Sequence, residues 1–430
     1  MEPRRSLVKR LVQKALQATL EWSLSVVFGV VVLCRLVWAW CRGRVVKGSM
    51  LERIAPPDCL QDPSLGSHRS IRIKNHKLHY VESGHPDNPL VVMIHGTPDF
   101  WFTWRKQIPT LSNDYRVVAV DLRGCGDSDT LRSRCHYTIP ILAHDIATLI
   151  SLIGSESAHL VCAGGGGQVG WYMCYHYPQL VKKMVLIHSP HPYVIRQHLH
   201  SSWHHYWKAW FVFFVRLPFL PEFAAHANDR GLVDHQLGGL LKGGAILKEE
   251  VEAYKYTFSR REDWTGPMHH LRSLDLGRVW EGEEGQPDVI TKPTLLLMGD
   301  ADPLLPLDTA YRSAEYVERI TVKPIPGPGH LCHQSRPHQV NQAVGEFLRE
   351  LPWRPLSPLT PETPYSSSSS LVGRVMGASL GAVSNTVGRY LPPKATETLE
   401  KTASLPTNLL TAAQVSFKVA ESTFGLDYLY

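Results

Sequence analysis

Apolar and polar positions divide the chain into distinct regimes. Residues 22–40 are almost uninterruptedly apolar. From about residue 70, short branched apolar runs at 90–95, 116–121, 158–163, 183–188 and 293–299 alternate with stretches of helical period such as 138–153. Runs that short and that apolar suit strands buried on both faces, and their alternation with helices predicts a doubly wound, mostly parallel α/β sheet. Between 190 and 287 the alternation stops. Aromatic-rich helical sequence replaces it, including Trp203, Trp207, Trp210, Phe211, Phe213 and Phe214. This insertion predicts a helical cap over a core built from 58–189 and 288–352. The aromatic stripe fits cap packing first and a ligand wall second.

As a helix, residues 22–40 span roughly 29 Å, about one hydrocarbon core. They predict a single membrane anchor within a basic N-terminal segment, 1–48. Large aromatic residues, then Cys41, Arg42, Gly43 and Arg44, follow the apolar stretch, so it reads as an uncleaved anchor and not as a signal peptide with a small-residue cleavage site. Arg35 inside it costs up to ~3 kcal/mol unless the side chain snorkels. An interfacial amphipathic helix is therefore the alternative. Arg4, Arg5, Lys9, Arg10 and Lys14 precede the stretch and Arg42, Arg44, Lys47 and Arg53 follow it, so charge assigns no orientation.

Beyond residue 351 the chain turns to Pro, Ser and Thr, and a serine run at 366–370 marks 353–370 as a flexible linker. In the tail, 371–430, Val372, Met376, Leu380, Val383, Val387 and Leu391 form one apolar stripe opposite Arg374, Ser379, Asn385, Thr386 and Arg389. That pattern fits an amphipathic helix on a lipid surface, a disordered tail, or a segment packed on its own domain.

Composition narrows the class. At 430 residues with 43% hydrophobic side chains, 12 Trp and 16 Tyr, the chain suffices for one large core plus appendages. The net charge of +6, partly in the N-terminal block, suits anionic lipid head groups better than nucleic acid. The eight cysteines show no C-x-x-C pair and no disulfide framework, so free thiols are expected. No phosphate loop, nucleic-acid module or metal-ligand spacing is visible, and no cofactor is expected.

Candidate chemistry starts directly after the run at 90–94. His95, Gly96, Thr97 and Pro98 stand where a hydrolytic sheet places a loop whose backbone N–H groups stabilise an oxyanion. Asp99, Phe100, Trp101, Phe102, Thr103, Trp104 and Arg105 continue it. After the next run come Asp121, Leu122, Arg123, Gly124, Cys125, Gly126, Asp127, Ser128 and Asp129, whose acids and arginine are expected to tie loops together beneath a site. Cys162, Ala163, Gly164, Gly165, Gly166 and Gly167 occupy the G-x-nucleophile-x-G frame of a strand-to-helix elbow. The run at 293–299 ends in Asp300, Ala301 and Asp302, and Gly327, Pro328, Gly329 and His330 follow later.

On these motifs, joined by Asp62, Pro63, Ser64, Leu65 and Gly66, by Ser189, Pro190, His191 and Pro192, by Leu217, Pro218 and Phe219, and by Gly266 and Pro267, residues 59–351 resemble the epoxide hydrolases of the α/β-hydrolase fold. The resemblance is strongest to the membrane-anchored group numbered three and four. It implies an aspartate that attacks the epoxide carbon, a histidine–acid pair that activates water, and two cap tyrosines that protonate the opening oxygen. Carried over, His330 is the base and Asp302 its orienter, with Asp300 as substitute acid, while His95, Gly96, Thr97, Pro98 and Gly165 form the oxyanion loop. The attacking aspartate falls on Gly164, and the tyrosines fall on Phe211 and Leu271. None of the three can react. Cys162 fits a structural thiol better than a relocated nucleophile. Tyr206 or His270 replaces a tyrosine only if the cap register slips by a turn.

The expectation is a membrane-anchored, epoxide-hydrolase-like protein defective in epoxide hydrolysis that binds a hydrophobic ligand, such as a fatty acid, or a partner protein. One alternative is noncovalent general-base catalysis by His330 and Asp302 on a lipid epoxide or ester. Another is a lipid-surface scaffold. Membrane lipid is the expected partner, with a single pass through the endoplasmic reticulum, or the lipid-droplet surface, as the expected location.

Overall fold

The computed structural model describes residues 2–42, 53, 55–274, 289–302, 304–327 and 329–349. The linker 353–370, the tail 371–430 and the end of the cap at 275–288 lie outside the described residues. Eight strands are described: β1 (Ser67–Ile73), β2 (His76–Ser83), β3 (Leu90–Ile94), β4 (Arg116–Val120), β5 (Ala158–Ala163), β6 (Val181–Ile187), β7 (Thr294–Gly299) and β8 (Ile320–Ile325). They form one sheet in the order β1-β2-β4-β3-β5-β6-β7-β8. β1 pairs antiparallel with β2, and β2 with β4; the remaining pairs are parallel.

The five strands expected from apolar runs are all present, and β3, β5 and β7 are buried throughout. The hairpin β1–β2 and the edge strand β8 carried no such run. In β1 only Ile73 is buried, and in β8 only Ile325, because edge strands shed side chains to solvent on at least one face.

Helices cover the sheet: α2 (Ile108–Leu111), α3 (Ile139–Leu152), α4 (Gly165–His176), α11 (Leu307–Arg312), α12 (Cys332–Ser335) and α13 (Pro337–Arg349), while α5 (Pro192–His200), α6 (Trp203–Lys208), α7 (Trp210–Phe214), α8 (Leu220–Lys242), α9 (Lys248–Thr257) and α10 (Thr265–Ser273) build the cap. Strand alternation separates two apolar layers. Met93, Val161 and Ala163 join Phe258, Trp264 and Met268 of the cap segment on one side. Ile94, Leu160 and Cys162 pack with α3 and α4 on the other.

The N-terminal helix α1 (Glu2–Cys41) begins well before the apolar stretch and takes in the basic residues. It is the one helix among the described residues long and apolar enough to cross a membrane, through Ala18–Cys41. One side of it is docked on the cap. Leu24, Phe28, Val32 and Leu36, spaced by four, bury against Tyr206, Trp210, Phe213 and Phe214, and Glu21 pairs with Arg216. Arg35 is 2% exposed on the protein-facing side, so its charge is kept off the outward face. That face carries Trp22, Val26, Val30, Leu33, Val37 and Trp40. The ring of Phe28 meets Trp207 edge-on at 5.0 Å. Phe28→Ala is expected to destabilise the docked unit by about 3 kcal/mol, as for other buried aromatic truncations. In detergent, Val26→Ala on the outward face is expected to cost under ~0.5 kcal/mol. Equal shifts in Tm for the two variants would contradict the docking.

Candidate active site

β5 turns into α4 at Gly164, with φ 47° and ψ −120°. Its N–H donates to the Ile187 carbonyl at 2.9 Å, which keeps the turn in register with β6. A side chain at that φ is strained by roughly 1 to 3 kcal/mol, but it is not excluded by its surroundings. A Cβ there meets His330 Nε2 at 3.7 Å and Gly96 Cα at 3.8 Å, ordinary contacts. The next glycines differ. A Cβ on Gly166 falls 2.3 Å from the His95 carbonyl oxygen, and one on Gly167 falls 2.0 Å from Ser189 Oγ. Gly166 and Gly167 are therefore required for α4 to approach the sheet, whereas Gly164 has room for a Cβ.

The loop after β3 borders this space. Gly96 lies against Ala163 and Gly164, and Thr97 Oγ1 stands 3.5 Å from where a Gly165 Cβ points. The Thr97–Pro98 peptide is cis. The His95 side chain faces away from the turn: Nδ1 donates to the Gly96 carbonyl at 2.6 Å, and Nε2 accepts the Leu122 N–H at 3.0 Å. Its role is to lock two loops together.

Opposite the turn, His330 Nδ1 lies 3.0 Å from Asp302 Oδ2, which leaves Nε2 facing Gly164. Asp300 is occupied elsewhere, accepting the Gly327 N–H at 3.0 Å, so the geometry selects Asp302 over Asp300. Sequence reasoning missed His188. It follows β6 with φ 51°, and its Nδ1 lies 3.2 Å from the same Oδ2. Because His188 Nε2 accepts the Gly299 N–H at 3.0 Å, the neutral ring carries its proton on Nδ1, toward Asp302. The other carboxylate oxygen accepts the N–H groups of Leu304 and Leu305 at 2.8 and 3.1 Å. Burial opposes ionisation of Asp302, but His188 and His330 outweigh it and hold the carboxyl well below its usual range. Burial likewise opposes the charge on His330, and the hydrogen bond and charge of Asp302 raise its pKa above 6.5. The side chain of His330 is 48% exposed, so the desolvation working against that rise is partial.

The cap contributes no acid at the expected places. Phe211 and Leu271 pack, partly buried, against the same layer as Ala163. Tyr206 is committed to His200 and to the dock of α1. His270 Nε2 lies 2.7 Å from the Arg123 carbonyl, where burial pushes its pKa down to about 3. Cys162 points into the opposite layer from Ala163, and burial raises its thiol well above the ordinary range. A buried network not foreseen from sequence lies beside the loop: the Tyr254 hydroxyl donates to Asp99 at 3.0 Å and accepts from Gln334 at 3.2 Å. Clefts of about 530 and 730 Å³ open between the hairpin side of the core and the cap, around Lys77, Asp127 and Arg260. Neither is lined by Gly164, Asp302 or His330.

Known proteins carry the same architecture. Residues 89–337 match the alpha/beta hydrolase fold family. Epoxide hydrolase 4 of Mus musculus is 33% identical over 352 residues, covering 78% of this chain and 96% of the mouse protein. Epoxide hydrolase 3 of the same species is 31% identical, covering 82% and 97%. Among solved structures, an epoxide hydrolase from Bacillus megaterium crystallised with an inhibitor is similar, with a TM-score of 0.60, 26% identity and coverage of 66% of this chain and all of that one. The sheet and the helical cap thus agree with the sequence matches, and the chain belongs to the epoxide hydrolases of the α/β-hydrolase fold.

Proposed function

We propose that this protein does not open epoxides by a covalent route and that it holds the carboxylate of a fatty acid, or of a similar hydrophobic ligand, at Gly164. The observation that carries the reading is a glycine at the turn where this fold places its attacking group, with the Nε2 of a histidine facing the space over it. Removing a nucleophile from such a constellation costs about a million-fold in kcat. Phe211 and Leu271, apolar where the family resemblance implies proton donors, deepen the deficit. What remains suits an anion: the N-terminus of the 12-residue helix α4, with its unpaired N–H groups and positive dipole end, and an imidazole readily protonated. Site and ligand meet at a membrane, a reading supported by the apolar outward face of α1; the endoplasmic reticulum, or the lipid-droplet surface, is the location we propose.

The pH dependence follows from His330. Its folded-state pKa is raised above 6.5, so the imidazolium that attracts a carboxylate is fully present below 6.5 and is lost as pH rises through the folded value. Displacement of a fluorescent fatty acid is expected to weaken several-fold on the alkaline side, and His330→Ala is expected to flatten the profile. A wild-type profile without slope, or lipid extracts of the purified protein with no bound acid, would sink the carboxylate reading.

A second reading is favoured by the same contact. With Nδ1 on Asp302 and Nε2 open, His330 has the arrangement of a general base that takes a proton from water without a covalent intermediate. Profiling esters and epoxides with wild type and His330→Ala separates the two, since activity indifferent to that substitution removes the base.

A further inference from the structure

Outside the site above, one pair of histidine rings meets with both N–H donors turned outward. On the β1–β2 hairpin, His68 Nδ1 and His79 Nε2 face each other at 3.1 Å. The outer nitrogen of His79, Nδ1, lies 2.7 Å from Asp121 Oδ2. The outer nitrogen of His68, Nε2, lies 3.0 Å from the Leu60 carbonyl oxygen. Asp121 is an acceptor here, since its oxygens take the N–H groups of Trp101 at 2.7 Å and Asp127 at 3.1 Å, and a carbonyl accepts only. Both outer nitrogens are therefore N–H donors. A neutral imidazole has one N–H, so in two neutral rings both inner nitrogens are lone pairs, and they point at each other. Two lone pairs at that separation need a cation between them, either a proton shared by the rings or a metal ion.

The geometry points to a zinc-type divalent cation site formed by His68 Nδ1, His79 Nε2 and the Asp127 carboxylate. The ligand atoms of the three residues all lie within 4.8 Å of one another. Two nitrogens each about 2.0 to 2.1 Å from a tetrahedral zinc stand about 3.3 Å apart, close to the 3.1 Å found here. Metal-bound histidines characteristically donate their other N–H to a carboxylate or a backbone carbonyl, which fixes tautomer and ring orientation. Here His79 does the first and His68 the second. Imidazole and carboxylate ligands suit zinc and its neighbours over calcium or magnesium. The group at His188, Asp302 and His330 is also compact, but there both Nδ1 atoms face one carboxylate oxygen, which can accept from each, so no cation is called for.

Three protein ligands leave a fourth position for water or an incoming group. It opens on the 730 Å³ cleft, whose far wall is Tyr256, Arg260 and Asp263 of the cap segment. The cation ties β1, β2 and the loop after β4 together. Through Asp121 it bears on Trp101, which follows the loop bordering Gly164. Sequence spacing gave no hint, because His68 and His79 stand on adjacent strands that show no ligand motif and Asp127 arrives from a separate loop.

The test uses the full chain in detergent, stripped with a chelator and titrated with Zn²⁺ against a competing chelator. One tight equivalent is expected, with a higher Tm in the metal-loaded protein. His68 is exposed, so His68→Asn leaves the core packing in place, and it is expected to lower the affinity of that equivalent at least tenfold. Asp127→Asn is expected to lower it less, and His330→Ala to leave it unchanged. Replacing zinc by Co²⁺ is expected to give the intense visible absorption of a four-coordinate site in wild type and not in His68→Asn. Tight zinc binding indifferent to both His68→Asn and Asp127→Asn would place the metal on other histidines and overturn the assignment. Absence of a tight equivalent in wild type would overturn it as well, leaving a proton as the cation between the rings.

Discussion

Gly164→Asp combined with Phe211→Tyr and Leu271→Tyr is expected to raise epoxide turnover by at least about a thousandfold, a fraction of what a lost nucleophile typically costs. The new carboxylate oxygen would attack an epoxide carbon while the C–O bond opens toward a tyrosine hydroxyl, and the ester so formed would be hydrolysed by water deprotonated at His330. Room for the Cβ of the added side chain is present, since a Cβ at Gly164 makes contacts of 3.7 and 3.8 Å and no closer ones. The left-handed φ exacts about 1 to 3 kcal/mol, so the triple variant is also expected to melt earlier than wild type. Intact-mass spectrometry of Gly164→Asp alone, incubated with an aryl epoxide, should find the alkyl-enzyme ester accumulating slowly. A folded triple variant that neither forms the ester nor turns over would mean that the deficit extends beyond these three positions.

The second large effect concerns stability. Gly166→Ala is expected to cost more than ~3 kcal/mol, at or beyond the upper end of core overpacking, because its methyl would lie 2.3 Å from the His95 carbonyl oxygen and 2.7 Å from that of Ile94. Both are backbone atoms of the strand and loop that carry the site, and neither yields without moving β3. Gly164→Ala meets no such wall and is expected to lose only the ~1 to 3 kcal/mol of a side chain at a positive φ. Denaturant titration of both variants checks the order. If Gly164→Ala were the more damaging, the turn would be held by contacts other than those described here.

Much of this was legible in the chain. The five buried strands announced themselves because both faces are apolar, and the helix Ile139–Leu152 fell within a residue of its expected bounds. The hairpin was not legible, since half-exposed strands such as β1 share their composition with loops. Among the site residues, motif order brought His330 and Asp302 together, and the structure places their side chains 3.0 Å apart. His188 was invisible because its contribution is a tautomer set by the Gly299 N–H, which no local pattern encodes. The pairing of Tyr254 with Asp99 likewise depends on how the cap is laid on the core. The four glycines at 164–167 looked alike as letters, and only the surroundings of each Cβ distinguish the position with space from the two that allow close packing.

The dock of α1 on the cap has a consequence for the order of events during synthesis. The stripe from Leu24 to Leu36 finds its partners in residues 199–224, so the helix leaves the ribosome well before the surface it will rest on exists. At typical elongation rates that interval is on the order of 10 to 35 s. Through it, an apolar segment of this length has only lipid or a chaperone to cover it. Its inward face must later exchange that first cover for Trp210, Phe213 and Phe214, so the last step of cap assembly is a change of partners along α1. A chain released before that change would carry a finished sheet and an unfinished roof.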